Sequence, residues 1–518
     1  MEILEGLNPQ QAEAVRHFEG PQLILAGAGS GKTRVLTNRI AWLIAEKHVE
    51  PWNILAITFT NKAAGEMRAR VDRLVPCGAD AVWVATFHST CSRILRRYID
   101  CIGYKTNFTI YDTDDQRSLM KDVCKQLQID TRILKERAIL AAISSAKDEL
   151  ISPDSYRQSA GRDYFAMRIA DAYEAYQAAL KKNNALDFDD LICKTVELFR
   201  STPEILEQYQ QRFKFIMVDE YQDTNTAQFE LVRLLAGKQA NLCVVGDDDQ
   251  SIYRFRGANI RNILEFEKHY PGAVVVRLEQ NYRSTGSILD VANAVIANNK
   301  GRKRKTLWTD KGIGKTVRVN CLPSAAAEAS YVASQIRKRC ASGEDAYNDF
   351  AVLYRTNAQS RILEEKLLME GIPYRIVGGI NFYARREIKD LLSYLKTVEN
   401  GADDLAVRRI INIPKRGIGA TTINRIQAYA DINGRSFYEV LEKAAEVPGI
   451  GRAALKTKGF VSLIQDLRAK ASSISVKALL NEVIEKTGYV KELEAEGTEE
   501  AKDRGHEHPG AGVQSGLL

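Results

Sequence analysis

Metal-binding cysteine patterns and membrane-spanning segments are missing from this sequence. Its 518 residues include 8 cysteines and 6 histidines, and no two cysteines form a Cys-x-x-Cys pair. Scattered cysteines without a histidine cluster argue against a zinc or iron–sulfur site and favour reduced thiols. No run approaches the ~18 apolar residues of a membrane span, and the start lacks a basic region followed by an apolar stretch. We therefore expect a cytoplasmic protein that is neither exported nor membrane-bound.

A strong charge imbalance is also absent. The 73 Lys and Arg residues exceed the 66 Asp and Glu residues by a net charge of +7, with a pI near 8.8. This excess is compatible with a polyanionic partner but leaves nucleic acid undecided. The composition is 45% hydrophobic and 27% charged, as in ordinary globular proteins. The length predicts several domains, because single cores stop growing near ~250–300 residues.

A glycine-rich loop lies near the start of the chain. The apolar run Leu23 to Leu25 predicts a buried strand, and the residues after Thr33 have helical spacing. Glycines between a strand and a helix let backbone N–H groups surround phosphate oxygens, while a lysine reaches the terminal phosphates and a hydroxyl ligates Mg²⁺. An ordinary glycine-rich turn is the alternative. The predicted phosphate-binding residues are Ala26, Gly27, Ala28, Gly29, Ser30, Gly31, Lys32, Thr33 and Arg34.

Strands followed by polar turns and helices recur after this loop, over 52–58 and 81–86, which predicts a parallel sheet with ligand sites at its carboxyl edge. The turns contain Phe59, Asn61, Lys62 and His88, with Asn61 a candidate N-cap. Rings, polar groups and a cation on one edge suit single-stranded nucleic acid. Core positions for Phe59 and Phe87 remain the alternative.

The alternation stops over 112–182, where long helical patterns predict an insertion. The sheet pattern resumes at Leu186 and then over 213–220, where an apolar run ends in Asp219-Glu220. This pattern is typical of a Walker B strand, in which Asp219 holds Mg²⁺ and Glu220 orients and deprotonates the attacking water. An acidic pair after a strand is common, but here it follows a phosphate-binding loop.

Two further strands end in segments rich in catalytic residue types. After 241–246 come three aspartates and Gln250, whose amide can contact a γ-phosphate, and then Tyr253, Phe255 and Arg256, which can contact nucleic acid. After 273–278 come Tyr282, which could stack on adenine, and Arg283, which could stabilise γ-phosphate charge. Near the start, the helix opened by Asn8-Pro9 carries Gln11, whose exposed amide would match an adenine edge; a solvated helix is the alternative.

These blocks, in this order, resemble the motifs of the UvrD/Rep/PcrA family of superfamily 1A DNA helicases, with wording closest to its PcrA branch. The resemblance implies an α/β fold of P-loop, RecA-like parallel-sheet motor domains with helical insertions, and a 3′-to-5′ translocase that uses ATP and Mg²⁺. It places Lys32, Thr33, Asp219, Glu220, Gln250 and Arg283 at ATP, and Phe59, His88, Tyr253, Phe255 and Arg256 at DNA. Phe255 departs from the family, in which tryptophan is expected.

The resemblance also divides the chain into domains. It implies a first motor domain over 1–111 and 183–285, a helical insertion over 112–182, the start of a second motor domain over 286–381 and a duplex-binding helical insertion over 382–504. In this second motor domain the strand–helix pattern restarts, with expected strands over 316–322 and 350–355 and a helix from Ala325 to Arg339 between them. Arg355 matches a DNA-facing position of that domain. In the second insertion, Lys415, Arg416, Gly417 and Gly419 resemble a helix–hairpin–helix that contacts phosphates without reading sequence. The segment Gly312-Ile-Gly-Lys-Thr316 lacks a preceding strand, so we expect a turn and not a second phosphate loop.

The last segment departs from the family pattern. Residues 505–518 are glycine-rich without helix or strand periodicity, and the family's final motor motifs do not occur in this sequence. We expect an aberrant tail, such as a frameshift near Arg504 would produce; an unrelated natural tail would look similar. The leading hypothesis is a monomeric helicase acting on single-stranded DNA and duplex junctions in repair or replication, with accessory proteins. The alternative is a truncated product that binds nucleotide and DNA but unwinds poorly.

Overall fold

The computed structural model describes residues 3–75, 78–238, 240–377, 386–490 and 492. Residues 505–518 and the end of the second insertion, about which the sequence made predictions, lie outside these ranges. The chain divides into two compact units, residues 1–314 with 390–518 and residues 315–389. In the part of the chain that is described, no helix combines the length and apolarity that a bilayer crossing requires.

The first unit is built on a parallel sheet. The strands, in chain order, are β1 (Gln22–Ala26), β2 (Ile54–Thr58), β3 (Trp83–Thr86), β4 (Thr109–Ile110), β5 (Ala185–Leu186), β6 (Phe215–Val218), β7 (Leu242–Gly246) and β8 (Val274–Leu278). Six of them form one sheet in the order β3-β2-β6-β7-β1-β8, and β4 pairs with β5 separately. All these pairings are parallel. The six strands predicted for the first motor domain are therefore confirmed.

The strands are nearly continuous apolar runs because helices cover both faces of the sheet. In β1, Leu23 and Leu25 join one buried cluster with Phe87 and Leu231. Ile24 and Ala26 point the other way and pack with residues such as Val35. The register places Leu23 beside Val244 of β7 and Val275 of β8. The chain before the glycine loop is thus held between two strands, β7 and the edge strand β8.

Helices connect the strands. Those of the sheet region are α1 (Pro9–Arg16), α2 (Lys32–Ala45), α3 (Asn61–Leu74), α4 (Phe87–Tyr98), followed by the predicted helical insertion, α5 (Thr113–Gln126), α6 (Glu136–Asp148), α7 (Pro153–Ala160) and α8 (Tyr164–Lys182). The sheet region then continues with α9 (Phe188–Ser201), α10 (Pro203–Arg212), α11 (Thr226–Ala236), α12 (Arg261–Leu264), α13 (Phe266–His269) and α14 (Gly286–Ile296).

The remaining helices follow residue 314. Unit 315–389 contains α15 (Ala325–Ala341) and α16 (Ser360–Met369). After them come α17 (Arg386–Glu399), α18 (Asp404–Ile410), α19 (Ala420–Asn433), α20 (Phe437–Glu442), α21 (Ala453–Ala471) and α22 (Val476–Thr487). The helical character predicted beyond Phe382 is confirmed for the described residues. Gly312 to Thr316 has neither a strand before it nor a helix after it, so the predicted turn is also confirmed.

Three local predictions were wrong. The N-cap of α3 is Thr60, whose hydroxyl accepts the Ala63 N–H at 3.1 Å, and Asn61 is the first helical residue. The strand predicted to begin at Leu186 does not continue past that residue, because Asp187 and Asp190 form a capping box that starts α9.

The third concerns the expected restart of strands in the second half. Residues 316–322 and 350–355 are described but form no strand. A strand requires a paired neighbour, and Val319 and Leu353 stay 94% exposed there. The helix expected between them is present as α15.

Candidate functional site

The glycine loop joins the end of β1 to the start of α2. Its Gly29 and Gly31 have φ values of 67° and 87°, which L side chains rarely adopt. Gly31 is the N-cap of α2, so the backbone N–H groups of the first helical turn open toward the loop. The loop therefore has the local geometry of an anion-binding helix N-terminus.

Close neighbours keep side chains out of the loop. A Cβ on Gly27 would lie 2.1 Å from Leu307 Cδ2, and one on Gly29 would lie 2.6 Å from Asn281 Nδ2. A Cβ on Gly31 would lie 2.8 Å from Gln11 Nε2. Positive φ favours glycine at positions 29 and 31, and side chains from distant segments of the chain pack closely against all three glycines from outside the loop.

Gln11 does not have the exposure that the sequence predicted. Its side chain is only 1% exposed, and its Nε2 donates to the Ser30 carbonyl at 2.9 Å. Its Oε1 accepts the Asn8 N–H at 3.1 Å, because Asn8 and Gln11 form a capping box at the start of α1. The amide of Gln11 supports the glycine loop, and its predicted adenine contact stays a prediction.

A cavity of about 380 Å³ opens beside the loop. Predicted nucleotide-site residues from four segments line it: Ala28, Gly29, Gly31, Lys32, Thr33, Arg34, Glu220, Gln250, Tyr282 and Arg283. Ala26, Gly27, Ser30 and Asp219 lie in or beside these segments but do not line the cavity. Arg70 of α3 lines it as well, and the sequence reasoning missed it. Its signal was weak, since basic residues on an exposed helix face are common.

The charges of the cavity match a phosphate with a divalent cation. Lys32 Nζ is buried without a hydrogen bond and lies 3.3 Å from Glu220 Oε2. The single ion pair with Glu220 leaves N–H donors of the ammonium available to an anionic ligand. Burial, together with the neighbouring Glu220 carboxylate, raises the pKa of Asp219 to about 6. Two adjacent carboxylates and the Thr33 hydroxyl are oxygen donors of the type that Mg²⁺ prefers, so the residues fit the expected ion.

Two glutamines connect the acidic pair to the turn after β7. Gln222 Nε2 donates to Glu220 Oε2 at 3.0 Å, and Gln222 Oε1 accepts the Asp247 N–H at 3.0 Å. The Asp247 carboxylate in turn accepts from Gln250 Nε2 at 2.5 Å. Gln222 was not among the predicted site residues, although it lies two positions after the acidic pair.

The segment after β8 approaches the loop through its backbone. The Tyr282 N–H donates to the Gly29 carbonyl at 2.9 Å. Asn281 Nδ2 donates to the Ala28 carbonyl at 2.6 Å, and its Oδ1 accepts the Arg283 N–H. The Tyr282 hydroxyl accepts from Asn8 Nδ2 at 2.9 Å. These bonds place the side chains of Tyr282 and Arg283 at the cavity wall.

The predicted DNA-binding residues of the first unit fall into two groups. Tyr253, Phe255 and Arg256 form an exposed cluster, with Phe255 75% exposed and the Arg256 guanidinium over both rings. The turns after β2 and β3 lie on the same sheet edge as the glycine loop, as predicted, because these strands are parallel with Thr58 beside Thr86. We call Tyr253, Phe255 and Arg256 the aromatic cluster.

The second group lies on those two turns. Phe59 is half-buried and meets the buried Phe87 edge to face, so the alternative of a core position is correct for Phe87. Asn61 and Lys62 are exposed on the first turn of α3. His88 lines a small cavity with Asp148, Asp189 and Arg256, and burial lowers its pKa. Burial therefore disfavours the charged imidazolium form of His88.

The remaining predicted DNA contacts lie elsewhere. Arg355 is exposed in unit 315–389. Lys415, Gly417 and Gly419 are exposed in the turn between α18 and α19. The Arg416 guanidinium instead donates to the carbonyls of Ile410, Ile411, Ile413 and Pro414 and lies over Phe460. In this arrangement Arg416 holds the turn together, and its predicted phosphate contact stays a prediction.

Comparisons with known proteins agree with the geometry. A family model described as the UvrD/REP helicase N-terminal domain matches residues 7–271, and one described as the UvrD-like helicase C-terminal domain matches residues 276–445. The chain is 51% identical over 503 residues to the ATP-dependent DNA helicase PcrA of Bacillus subtilis (strain 168). This match covers 97% of this chain and 68% of that protein. It is 50% identical over 502 residues to the ATP-dependent DNA helicase PcrA of Staphylococcus aureus (strain COL), and this match covers 97% of this chain and 68% of that protein.

Proposed function

This chain belongs to the UvrD/Rep family of helicases, and from that membership we propose that it is an ATP-dependent DNA helicase that translocates 3′-to-5′ along single-stranded DNA. One observation supports the coupling of hydrolysis to movement. Gln250, at the cavity, and Tyr253, at the start of the exposed aromatic cluster, lie three residues apart on one short segment. A movement of Gln250 when nucleotide binds or is hydrolysed would therefore shift Tyr253 and the rest of the exposed aromatic cluster.

In the hydrolysis step, Lys32 binds the terminal phosphates and Arg283 stabilises the charge that develops on the γ-phosphoryl group. Glu220 orients the attacking water and accepts its proton. Thr33 and Asp219 would hold Mg²⁺, which supplies positive charge at the phosphate oxygens. Tyr282, 39% exposed at the cavity wall, offers a ring face to adenine.

We further propose that bases of single-stranded DNA stack on the aromatic cluster and Phe59, while Asn61, Lys62 and His88 lie along the backbone. Lys415, Gly417 and Gly419 would meet duplex phosphates at a junction, and Arg355 would contact the strand from the second motor domain. The domain boundaries given by the resemblance belong to this proposal. So do a monomeric motor, accessory repair or replication proteins, and action in the cytoplasm.

The experiment compares ATP hydrolysis by the full chain with and without single-stranded DNA, and unwinding of duplexes with a 3′ or a 5′ tail. We expect DNA to stimulate hydrolysis, and any unwinding to require the 3′ tail. Lys32→Ala should abolish hydrolysis, whereas Lys125→Ala, at an exposed position of α5, should not. A hydrolysis rate that single-stranded DNA does not change would contradict the proposed coupling of hydrolysis to DNA binding. Unwinding of duplexes with 5′ tails alone would contradict the proposed 3′-to-5′ direction.

A further inference from the structure

A basic segment, Arg302–Lys305, closes over the three aspartates that precede Gln250. Lys305 Nζ lies 2.8 Å from Asp247 Oδ1, 2.5 Å from Asp248 Oδ1 and 2.8 Å from Asp249 Oδ2. Arg302 adds a two-pronged contact to Asp249, at 2.6 and 2.5 Å. The turn after β7 therefore receives its counter-charges from residues more than fifty positions later in the chain.

These charges are buried and not at the surface. The side chain of Lys305 is 2% exposed, and those of Asp247 and Asp248 are 3% and 0% exposed. Three adjacent carboxylates could in principle hold a metal ion, but the Lys305 ammonium already occupies the position between them. Buried carboxylates without a counter-charge are strongly destabilised, so the arrangement of this turn depends on Lys305.

Asp247 connects Lys305 to Gln250, a residue of the cavity wall. Asp247 uses one carboxylate oxygen for Lys305 and the other to accept from Gln250 Nε2 at 2.5 Å. One N–H of the Gln250 amide is thereby fixed, and its Oε1 and second N–H have no hydrogen-bond partner among the described residues, so a ligand can use them. The backbone of Asp247 also meets Gln222, which holds Glu220. Lys305 thus lies at the root of a network that ends at two cavity residues.

We propose that Lys305 is a positioning residue that, through Asp247, orients the Gln250 amide toward the terminal phosphate of the nucleotide. The proposal rests on the proposed function, in which Gln250 contacts the γ-phosphate. Lys305 itself lines no part of the cavity. Its loss should therefore weaken recognition of the third phosphate and leave binding of the diphosphate part nearly unchanged.

The test measures dissociation constants of the full chain for ADP and for a non-hydrolysable ATP analogue, both with Mg²⁺. Lys305→Met should lower the preference for the analogue over ADP by about tenfold, the size expected for one hydrogen bond to a charged group. Lys303→Met is the matched control. In the described part of the chain its Nζ pairs with Glu267 alone, outside the turn, and its backbone N–H keeps its bond to Asp248.

Two further variants separate positioning from folding. Asp248→Asn combined with Lys305→Met removes one charge of each sign, so the turn keeps its net charge while the contact between residue 305 and Asp247 is lost; the preference should stay low. In a Gln250→Ala background, which lowers the preference by itself, Lys305→Met should cause no further loss, because both changes act through one amide.

The outcomes are distinct. If the wild-type chain binds neither nucleotide, the proposed function fails. If it binds both and Lys305→Met keeps the preference, or lowers it equally in the Gln250→Ala background, the positioning role is refuted. A preference restored by the charge-compensated variant would show that Lys305 supplies charge balance alone, and would also refute it.

Discussion

Replacing Lys147 with methionine should destabilise the first unit in a pH-dependent way. Lys147 lies in the last turn of α6 with its side chain 2% exposed, and its Nζ is 2.6 Å from Asp187 Oδ2 and 2.9 Å from Asp190 Oδ1. The Tyr176 hydroxyl also donates to Asp187, at 3.2 Å. This buried group joins the helical insertion to the capping box that starts α9. Methionine keeps an unbranched side chain that is one heavy atom shorter, and it removes the ammonium with both its charge and its hydrogen-bond donors.

The magnitude follows from the burial of the two carboxylates. With side-chain exposures of 4% and 1%, they would lose their counter-charge without gaining access to water. Breaking such a buried pair costs about 3–5 kcal/mol, a large part of the roughly 5–15 kcal/mol that stabilises a typical domain. Asp190→Asn in the same background should recover part of the loss, because it removes one of the two unpaired charges.

The pH dependence has a definite sign. Burial and the neighbouring Asp190 already raise the pKa of Asp187, and losing the ammonium raises it further. When the pKa of a carboxyl group is higher in the folded protein than in the unfolded chain, the free energy of unfolding falls as pH rises from the unfolded pKa through the folded pKa. The gap between wild type and Lys147→Met should therefore be larger at pH 8 than at pH 5, by up to about 1.4 kcal/mol per pH unit for one proton.

Urea denaturation of the wild-type protein and the Lys147→Met variant at pH 5 and pH 8 measures their free energies of unfolding. Lys121→Met, at an exposed position of α5, is the control and should change stability by less than about 0.5 kcal/mol. A gap that is equal at pH 5 and pH 8, or one below about 1 kcal/mol, would refute the argument that two buried carboxylates depend on Lys147.

Three other outcomes are expected. Gly27→Ala should weaken nucleotide binding in a titration, because its Cβ would lie 2.1 Å from Leu307, and Leu307→Ala should restore binding. Phe255→Ala should weaken single-stranded DNA binding by about 1–3 kcal/mol in fluorescence anisotropy without changing nucleotide affinity, whereas Phe255→Trp should not weaken it. Burial and the nearby Asp189 raise the pKa of Asp148 to about 7. Asp148→Asn should therefore flatten the loss of stability in urea denaturation between pH 5 and pH 7; an unchanged slope would contradict this.

The central sheet could be predicted because each of its strands is a short, mostly apolar run. Leu23 to Ala26 is buried on both faces, so the residues alone indicate a strand that helices cover on two sides. The polar turns had to share an edge, since parallel strands end on the same side. The glycine loop and the acidic pair were predictable for the same reason, because both directly follow such runs.

Side-chain orientation was less predictable, since it depends on contacts between distant segments. Gln11 carries the same amide whether it faces solvent or the Ser30 carbonyl, and only the fold decides. Arg416 lies in a basic turn, yet nearby carbonyls that its guanidinium can reach turn it inward. Lys305 belongs to a basic run that would ordinarily be solvated; its burial depends on three aspartates far away in the sequence. The spacing of residues in the sequence does not predict such contacts between distant segments.

The position of β1 in the sheet has a consequence for biosynthesis. Both of its neighbours, β7 and β8, are made more than two hundred residues later. At roughly 5–20 residues per second, the finished β1 waits on the order of 10–50 s before either partner leaves the ribosome. During that interval the glycine loop is attached to an apolar segment with no strand to pair with. We therefore expect the newly made amino-terminal segment to depend on chaperones until β8 and the residues that brace the loop have emerged.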